Sequence, residues 1–165
     1  LYLGEHNNDM ATFRGLLAAE GIHLLDNSSC RVQAVGADLW LVGIDDLMEG
    51  RPDAPAALAD MPHDGALRIL LAHNPDLMLD PALQQVDLAL CGHVHGGQIR
   101  LPFVGPMLTS SRLGRRYVMG HYHEAKTHLY VSRGVGFEGL GAPRVRFLCP
   151  PEIMLVQMVA KDRAG

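Results

Sequence analysis

Leu90-Cys91-Gly92-His93-Val94-His95-Gly96-Gly97-Gln98 places two imidazoles two residues apart at the end of an apolar run. In an extended backbone residues i and i+2 face the same side, and the glycines at 92, 96 and 97 remove side chains that would block a metal ion or a phosphate. Neutral imidazole is the commonest metal ligand, so the spacing suits a ligand pair, although two histidines on one exposed strand face fit the same residues. Two other apolar runs end in the same way: Leu1-Tyr2-Leu3 runs into Gly4-Glu5-His6-Asn7, and Arg68-Ile69-Leu70-Leu71-Ala72 runs into His73-Asn74-Pro75-Asp76. Short apolar runs between turn signals read as buried strands, and open α/β sheets place ligands beyond the carboxyl ends of their strands. If the three strands share a sheet, Glu5, His6, His73, His93 and His95 converge into a nitrogen and oxygen set suited to zinc, manganese or iron. A set without thiolates disfavours a structural zinc site.

The rest of the chain predicts an α/β class. Asp9 is placed to cap a helix running to about Glu20, with Phe13, Leu16 and Leu17 on one face and Gly21 as its stop. Ile22 to Leu25 reads as a short strand, and Cys30 to Val35 and Asp38 to Ile44 as paired strands around Gly36, with Trp40 a core residue. Ala54 to Met61 is a helix after the turn at Pro52-Asp53. Asp76 to Gln85 is a helical stretch interrupted by Pro81, and Val86 to Cys91 is the strand that leads into the histidine pair. Leu101 to Gly114, with Pro102, Gly105, Pro106 and paired serines, reads as a long surface loop, either a plain connector or a lid beside the site. Arg116 to Tyr122, His128 to Ser132, Val145 to Leu148 and Ile153 to Val159 look like successive strands of a second, mostly antiparallel sheet.

Composition sets the outer limits. With 165 residues and 48% hydrophobic content the chain buries a core and fits one domain. Fourteen Lys and Arg against 18 Asp and Glu give a formal charge of −4, so there is no strong nucleic-acid signal, which normally shows as a basic surplus or stripe. Arg112, Arg115 and Arg116, and then Arg133, Arg144 and Arg146, form local basic clusters. They fit solvated faces, or one or two of them meet a substrate phosphate, whose oxygens match the planar guanidinium fork. Three separated cysteines imply neither a disulfide framework nor a zinc ribbon. No apolar run reaches the roughly 18 residues of a membrane span. His121 and His123 repeat the i, i+2 spacing but lack flanking glycines, and read as an exposed strand face.

Taken in order, these segments resemble the calcineurin-like metallophosphoesterases. The family carries Asp-x-His, Gly-Asp-x-x-Asp, Gly-Asn-His-Asp/Glu, a lone His after a strand, and Gly-His-x-His. Gly4-Glu5-His6-Asn7 falls at the third motif, His73 at the fourth, and Gly92-His93-Val94-His95 at the fifth. Val42-Gly43-Ile44-Asp45-Asp46, Leu70 to Asp76, Gly96-Gly97-Gln98-Ile99, Tyr130 to Gly134 and Cys149 to Ile153 look like the bacterial, often membrane-associated phosphodiesterase branch. The first two motifs have no counterpart, so the chain is expected to be the C-terminal part of a longer protein, a single incomplete domain over residues 1–165.

The resemblance implies the C-terminal half of a four-layer α/β/β/α sandwich and hydrolysis of phosphate esters, phosphodiesters above all. The attacking species would be a metal-bound hydroxide at a dinuclear site that is incomplete in this chain. It implies two divalent ions in the intact site (manganese, zinc, iron or nickel), with Glu5, His73 and His93 holding one, His95 left on the other, and His6 assisting the leaving group. A phosphate-ester substrate is the implied partner. The implied location is cytoplasmic or peripheral to the bacterial membrane, with any anchor in the missing N-terminal segment. Two departures bear on chemistry: Glu5 stands where the family has Asn, adding charge and length to a ligand, and Asn7 replaces an acidic residue that would orient His6. Losing such an outer partner costs roughly 10 to 100-fold in affinity or activity. The alternative is a non-catalytic fragment or binding module holding at most one metal.

Overall fold

The computed structural model describes residues 10–34, 36–137 and 144–159. Helix α1 (Met10–Ala19) ends at Gly21, where the Ile22 N–H reaches back to the Leu17 carbonyl at 2.8 Å and the Gly21 N–H to Ala18 at 3.0 Å, the paired bonds of a Schellman stop. Asp9, expected as its cap, lies outside the described residues. Strands β1 (Ser28–Ala34) and β2 (Ala37–Gly43) form an antiparallel hairpin, with Ser28 opposite Gly43 and Ala34 opposite Ala37. Helix α2 (Ala54–Leu58) is shorter than expected. It starts where the Asp53 carboxylate accepts the Ala56 N–H, with Pro55 in the first turn where its missing N–H costs nothing.

Strands β3 (Leu67–Leu71) and β4 (Leu88–Cys91) follow, then the two-residue strands β5 (Arg100–Leu101) and β6 (Gly105–Pro106), and finally β7 (Gly120–Glu124) and β8 (Thr127–Val131). One six-stranded sheet runs in the order β1-β2-β3-β4-β8-β7. The pairs β2-β3, β3-β4 and β4-β8 are parallel, while the two outer pairs are antiparallel hairpins. The architecture is therefore mixed α/β with a mostly parallel central sheet. Within it, Val42, Leu70, Ala89, Leu129 and Val131 are fully buried and pack with Ala57, Met78, Leu83 and Val86. Trp40 is half-buried against this cluster.

Several local expectations are corrected. The separate antiparallel sheet expected over residues 116–159 does not form among the described residues, because β7 and β8 join the first sheet through the parallel β4-β8 pair. Residues 145–148 contribute only the single Ile99–Phe147 bridge, and 153–159 form no strand, with Ile153 and Leu155 almost wholly exposed. Apolar alternation signals which side chains favour burial, and it carries no information about which strand edge will supply a partner. Ile22 to Leu25 is likewise irregular. The stretch after Asp76 folds as two 3-10 turns, Pro75–Leu79 and Leu83–Gln85, rather than one helix. The first is started by the Asn74 side chain accepting the Asp76 N–H at 2.9 Å, and Pro81 separates the two. No helix of the described residues is long and apolar enough to cross a membrane.

Candidate metal centre

Parallel register builds the site. Gly43 of β2 lies beside Leu71 of β3, and Leu71 beside Leu90 of β4, so the residues after these three strands emerge on one rim. Those residues are Ile44-Asp45-Asp46, Ala72-His73 and Gly92-His93. The ladder runs on past the strands: the Ala72 N–H donates to Leu90 at 3.1 Å and the Gly92 N–H to the His73 carbonyl at 2.9 Å. The main chains of His73 and His93 are thereby fixed side by side.

Their rings meet. His73 Nε2 and His93 Nδ1 are 3.3 Å apart, and the rings cross edge to face at 73° with centroids 5.0 Å apart. Two imidazole nitrogens sharing one tetrahedral ion at 2.0 to 2.1 Å each would sit roughly 3.3 Å apart. The other His93 nitrogen, Nε2, lies 3.2 Å from the Ser110 carbonyl oxygen. A carbonyl accepts only, so Nε2 carries the proton and Nδ1 presents its lone pair toward His73; the tautomer follows from this network. An imidazole that donates its outer N–H to a backbone carbonyl while its inner nitrogen faces a second imidazole has the usual surroundings of a metal-bound histidine. On this chemistry the pair fits a divalent ion.

The support beneath the pair is buried. Asn74 is fully buried and Asp76 is 3% exposed. The Asp76 carboxylate accepts the Ser111 hydroxyl at 2.5 Å and the Arg112 N–H at 2.6 Å. That clasp holds the segment whose Ser110 carbonyl orients His93. The long loop expected over 101–114 therefore touches the site directly.

Asp46 completes the rim on the β2 side. Burial pushes its carboxyl pKa up, but the backbone N–H groups of Glu49 and Met48, helped by the nearby imidazoles of His73 and His93, outweigh burial and hold it below the ordinary value. Its Oδ1 accepts Met48 N–H at 2.7 Å and Glu49 N–H at 2.9 Å.

His95 is placed differently from His93. The extended backbone expected from the His-x-His spacing is absent: the strand stops at Cys91, His93 and His95 take φ of +68° and +51°, and Val94 between them is α-helical. Of the seven non-glycine residues with positive φ among the described residues, three, His93, His95 and Gln98, fall in this one turn. Such strain costs of order 1 to 3 kcal/mol per residue and collects at functional sites. The turn sends the two rings to different partners. His95 Nδ1 lies 3.4 Å from the Arg146 guanidinium, which also donates to the His95 carbonyl at 3.3 Å. Arg146 further reaches the carbonyls of Arg133 at 2.7 Å, Gly136 at 2.6 Å and Cys149 at 3.3 Å. It ties the His95 turn to the segment after β8.

Gly96 and Gly97 serve close packing, whereas a Cβ at Gly92 would meet only the His73 carbonyl oxygen, at 4.0 Å. A Cβ at Gly96 would lie 2.5 Å from Cys149 Sγ, and one at Gly97 would lie 2.5 Å from Pro106 Cβ and 2.8 Å from the Leu108 carbonyl oxygen.

Glu5 and His6 lie outside the described residues. Among the described residues no group of three or more His, Cys, Asp or Glu side chains converges as a metal site, so His73 and His93 stand as a pair. His121 and His123 sit exposed on the outer strand β7, where His121 Nε2 approaches His128 Nδ1 at 2.9 Å. They face the neighbouring strand as an exposed set, as their context suggests. The roles of Asp46, Ser110 and Arg146 are not visible in the sequence motifs. Asp46 has a usable signal, the end of an apolar run, whereas the other two act through contacts 17 and 51 residues distant in sequence.

No protein-family model and no solved structure matches the chain. Curated relatives do. The chain is 40% identical over 144 residues to the uncharacterized metallophosphoesterase YkuE of Bacillus subtilis, covering 87% of this chain and 49% of that protein. It is 35% identical over 163 residues to the phosphodiesterase YaeI of Escherichia coli, covering 94% and 56%. It is 32% identical over 126 residues to the UDP-2,3-diacylglucosamine pyrophosphatase LpxG of Chlamydia trachomatis, covering 71% and 36%. The chain thus spans about half the length of the first relatives it matches. Likeness over almost the whole chain, joined to an imidazole pair at the carboxyl rim of a mostly parallel sheet, makes the chain a member of the metallophosphoesterase family.

Proposed function

We propose that the protein containing this chain hydrolyses phosphate esters, phosphodiesters by preference, at a divalent-metal site to which His73 and His93 contribute. The observation that carries this reading is the 3.3 Å approach of His73 Nε2 to His93 Nδ1, with the second His93 nitrogen on the Ser110 carbonyl. The relatives' names support the substrate class, since they include a phosphodiesterase and a pyrophosphatase.

Divalent ions bound there would supply a water of lowered pKa and charge stabilisation for the phosphoryl oxygens. The chain's own groups do the rest. His73 and His93 offer lone pairs from a rigid rim, Ser110 fixes the His93 tautomer, and Asp46 keeps a carboxylate charge beside the pair. Glu5 would add an oxygen ligand, and His95 would serve a second ion of a dinuclear site. As a water oxygen bonds to phosphorus the ester P–O bond breaks, and His6 would give the departing oxygen its proton, a form of help worth about 10² to 10⁴-fold.

The test is manganese-dependent hydrolysis of bis-p-nitrophenyl phosphate by the full-length protein. His93→Ala should abolish metal-dependent turnover, and unchanged turnover would overturn the assignment. A binding module holding a single ion is the second reading, favoured by the 3.4 Å approach of the Arg146 guanidinium to His95 Nδ1. Metal stoichiometry separates the two, at two ions per chain for the enzyme and one for the module.

A further inference from the structure

A cavity of about 230 Å³ is walled by Ile44, Leu47, Leu77 and Leu79, with Asp76, Asp80 and Arg112 as its charged residues. Two of its walls are continuous with the rim. Ile44 and Leu47 bracket Asp46, and Arg112 lies two residues beyond Ser110, whose carbonyl holds His93. The buried Asp76 fixes the Arg112 main chain through the 2.6 Å bond to its N–H.

Of the arginines that form the two basic clusters, four are engaged by the protein itself. Arg116 pairs with Glu124, Arg133 with Glu152, Arg115 donates to the Val104 carbonyl, and Arg146 is spent on the carbonyls around His95. Among the described residues Arg112 and Arg144 are exposed and their guanidinium groups donate to no carboxylate or carbonyl, and of the two only Arg112 lines this cavity. A planar cation without a protein partner, its main chain fixed two residues beyond the Ser110 carbonyl that meets His93, suits phosphate oxygens. The walls next to it are aliphatic, and a cavity of roughly 150 Å³ already suffices for a benzene ring.

We infer that this cavity is a substrate subsite, in which the aliphatic walls receive an apolar substituent of the phosphate ester while Arg112 holds a non-bridging phosphate oxygen. This rests on the phosphoesterase reading of the His73–His93 rim and adds a substrate class to it: esters carrying an aryl or short alkyl group next to the phosphate.

The experiment measures inhibition constants of phenylphosphonate and methylphosphonate, as competitors of bis-p-nitrophenyl phosphate, on the manganese-loaded full-length protein. Phenylphosphonate should bind roughly tenfold or more tighter, the usual return for filling an apolar pocket. Leu79→Asp, at a side chain 54% exposed and so tolerant of substitution, should bring the ratio of the two constants close to one. Arg112→Ala should weaken both phosphonates about tenfold or more, with Arg112→Lys recovering part of the loss. A phenyl preference that Leu79→Asp leaves intact, equal binding of the two by the wild type, or an Arg112→Ala protein that binds both normally would overturn the subsite. His93→Ala distinguishes the two levels of the claim. If it retains full turnover, the phosphoesterase reading fails. If it loses turnover while the cavity variants are silent, only the subsite fails.

Discussion

Replacing Asp76 by alanine removes the clasp that holds the Ser110–Arg112 segment against the imidazole pair, and its cost follows from the hydrogen bonds that the carboxylate accepts. That carboxylate is 3% exposed and takes two of them, from the Ser111 hydroxyl at 2.5 Å and the Arg112 N–H at 2.6 Å. A hydrogen bond to a charged group contributes about 1.5 to 3 kcal/mol. Two give about 3 to 6 kcal/mol, and because the Ser111 segment reaches solvent its donors recover part of that from water, so about 3 kcal/mol is expected. Asp76→Asn is gentler: its amide oxygen still accepts the Arg112 N–H and its amide nitrogen donates to Ser111 Oγ, leaving a loss of about 1 kcal/mol. Urea denaturation followed by circular dichroism measures both, and with a slope of about 2 kcal/mol/M the alanine variant should unfold roughly 1.5 M earlier. A double-mutant cycle with Ser111→Ala should return a coupling of about 1 kcal/mol or more. An alanine variant within about 0.5 kcal/mol of wild type, or alanine and asparagine variants of equal stability, would show that the Asp76 carboxylate does not hold the segment.

Three further outcomes rest on other parts of the structure. Burial raises the Glu152 pKa, but the Tyr130 hydroxyl and the Arg133 guanidinium outweigh it and hold the carboxyl below 4.5. The stabilisation is therefore complete above the ordinary value and fades as pH falls through the depressed one, so Glu152→Gln should flatten the acid limb of urea midpoints measured from about pH 6 down to 3. Burial pushes the Cys91 thiol up to about 12, so iodoacetamide at pH 8 should alkylate half-buried Cys30 while Cys91 reacts only on global unfolding, as peptide mass mapping will show. Arg146→Lys should give up most of the bonds to the carbonyls around His95, because an ammonium cannot span the fork, and speed hydrogen exchange at the amides of Gly97 and Gln98.

The strands that bear His73 and His93 are legible in the sequence because each is a short apolar run closed by glycine or proline, and parallel order then follows from the intervening chain. The β1-β2 hairpin is legible for the same reason, with Gly36 at its turn. What patterning cannot supply is the partner of each strand: His128 to Ser132 reads correctly as a strand, yet its neighbour is β4, some 40 residues earlier, and only the register reveals that. At the site, residue type points to His73 and His93. The spacing misleads over the backbone, since His93 and His95 take positive φ around a right-handed Val94, and their rings meet different partners, His73 and Arg146. Ser110 acts through its carbonyl, which every residue has, so no side-chain pattern would single it out. Arg146 is visible in the sequence only as one of several arginines, and its specificity lies in five carbonyls that the fold gathers around it.

His73 and His93 are proposed to share one divalent ion. Cobalt(II) binding to the full-length protein, followed by its visible absorption, tests this with wild type, His73→Ala, His93→Ala and the double variant. Each single variant should lose at least the roughly 10 to 100-fold in affinity typical of disturbing a ligand's surroundings. The double variant should fall well short of the product of the two losses, because both side chains serve the same ion. Wild-type affinity in both single variants, or losses that simply multiply, would contradict the shared ion.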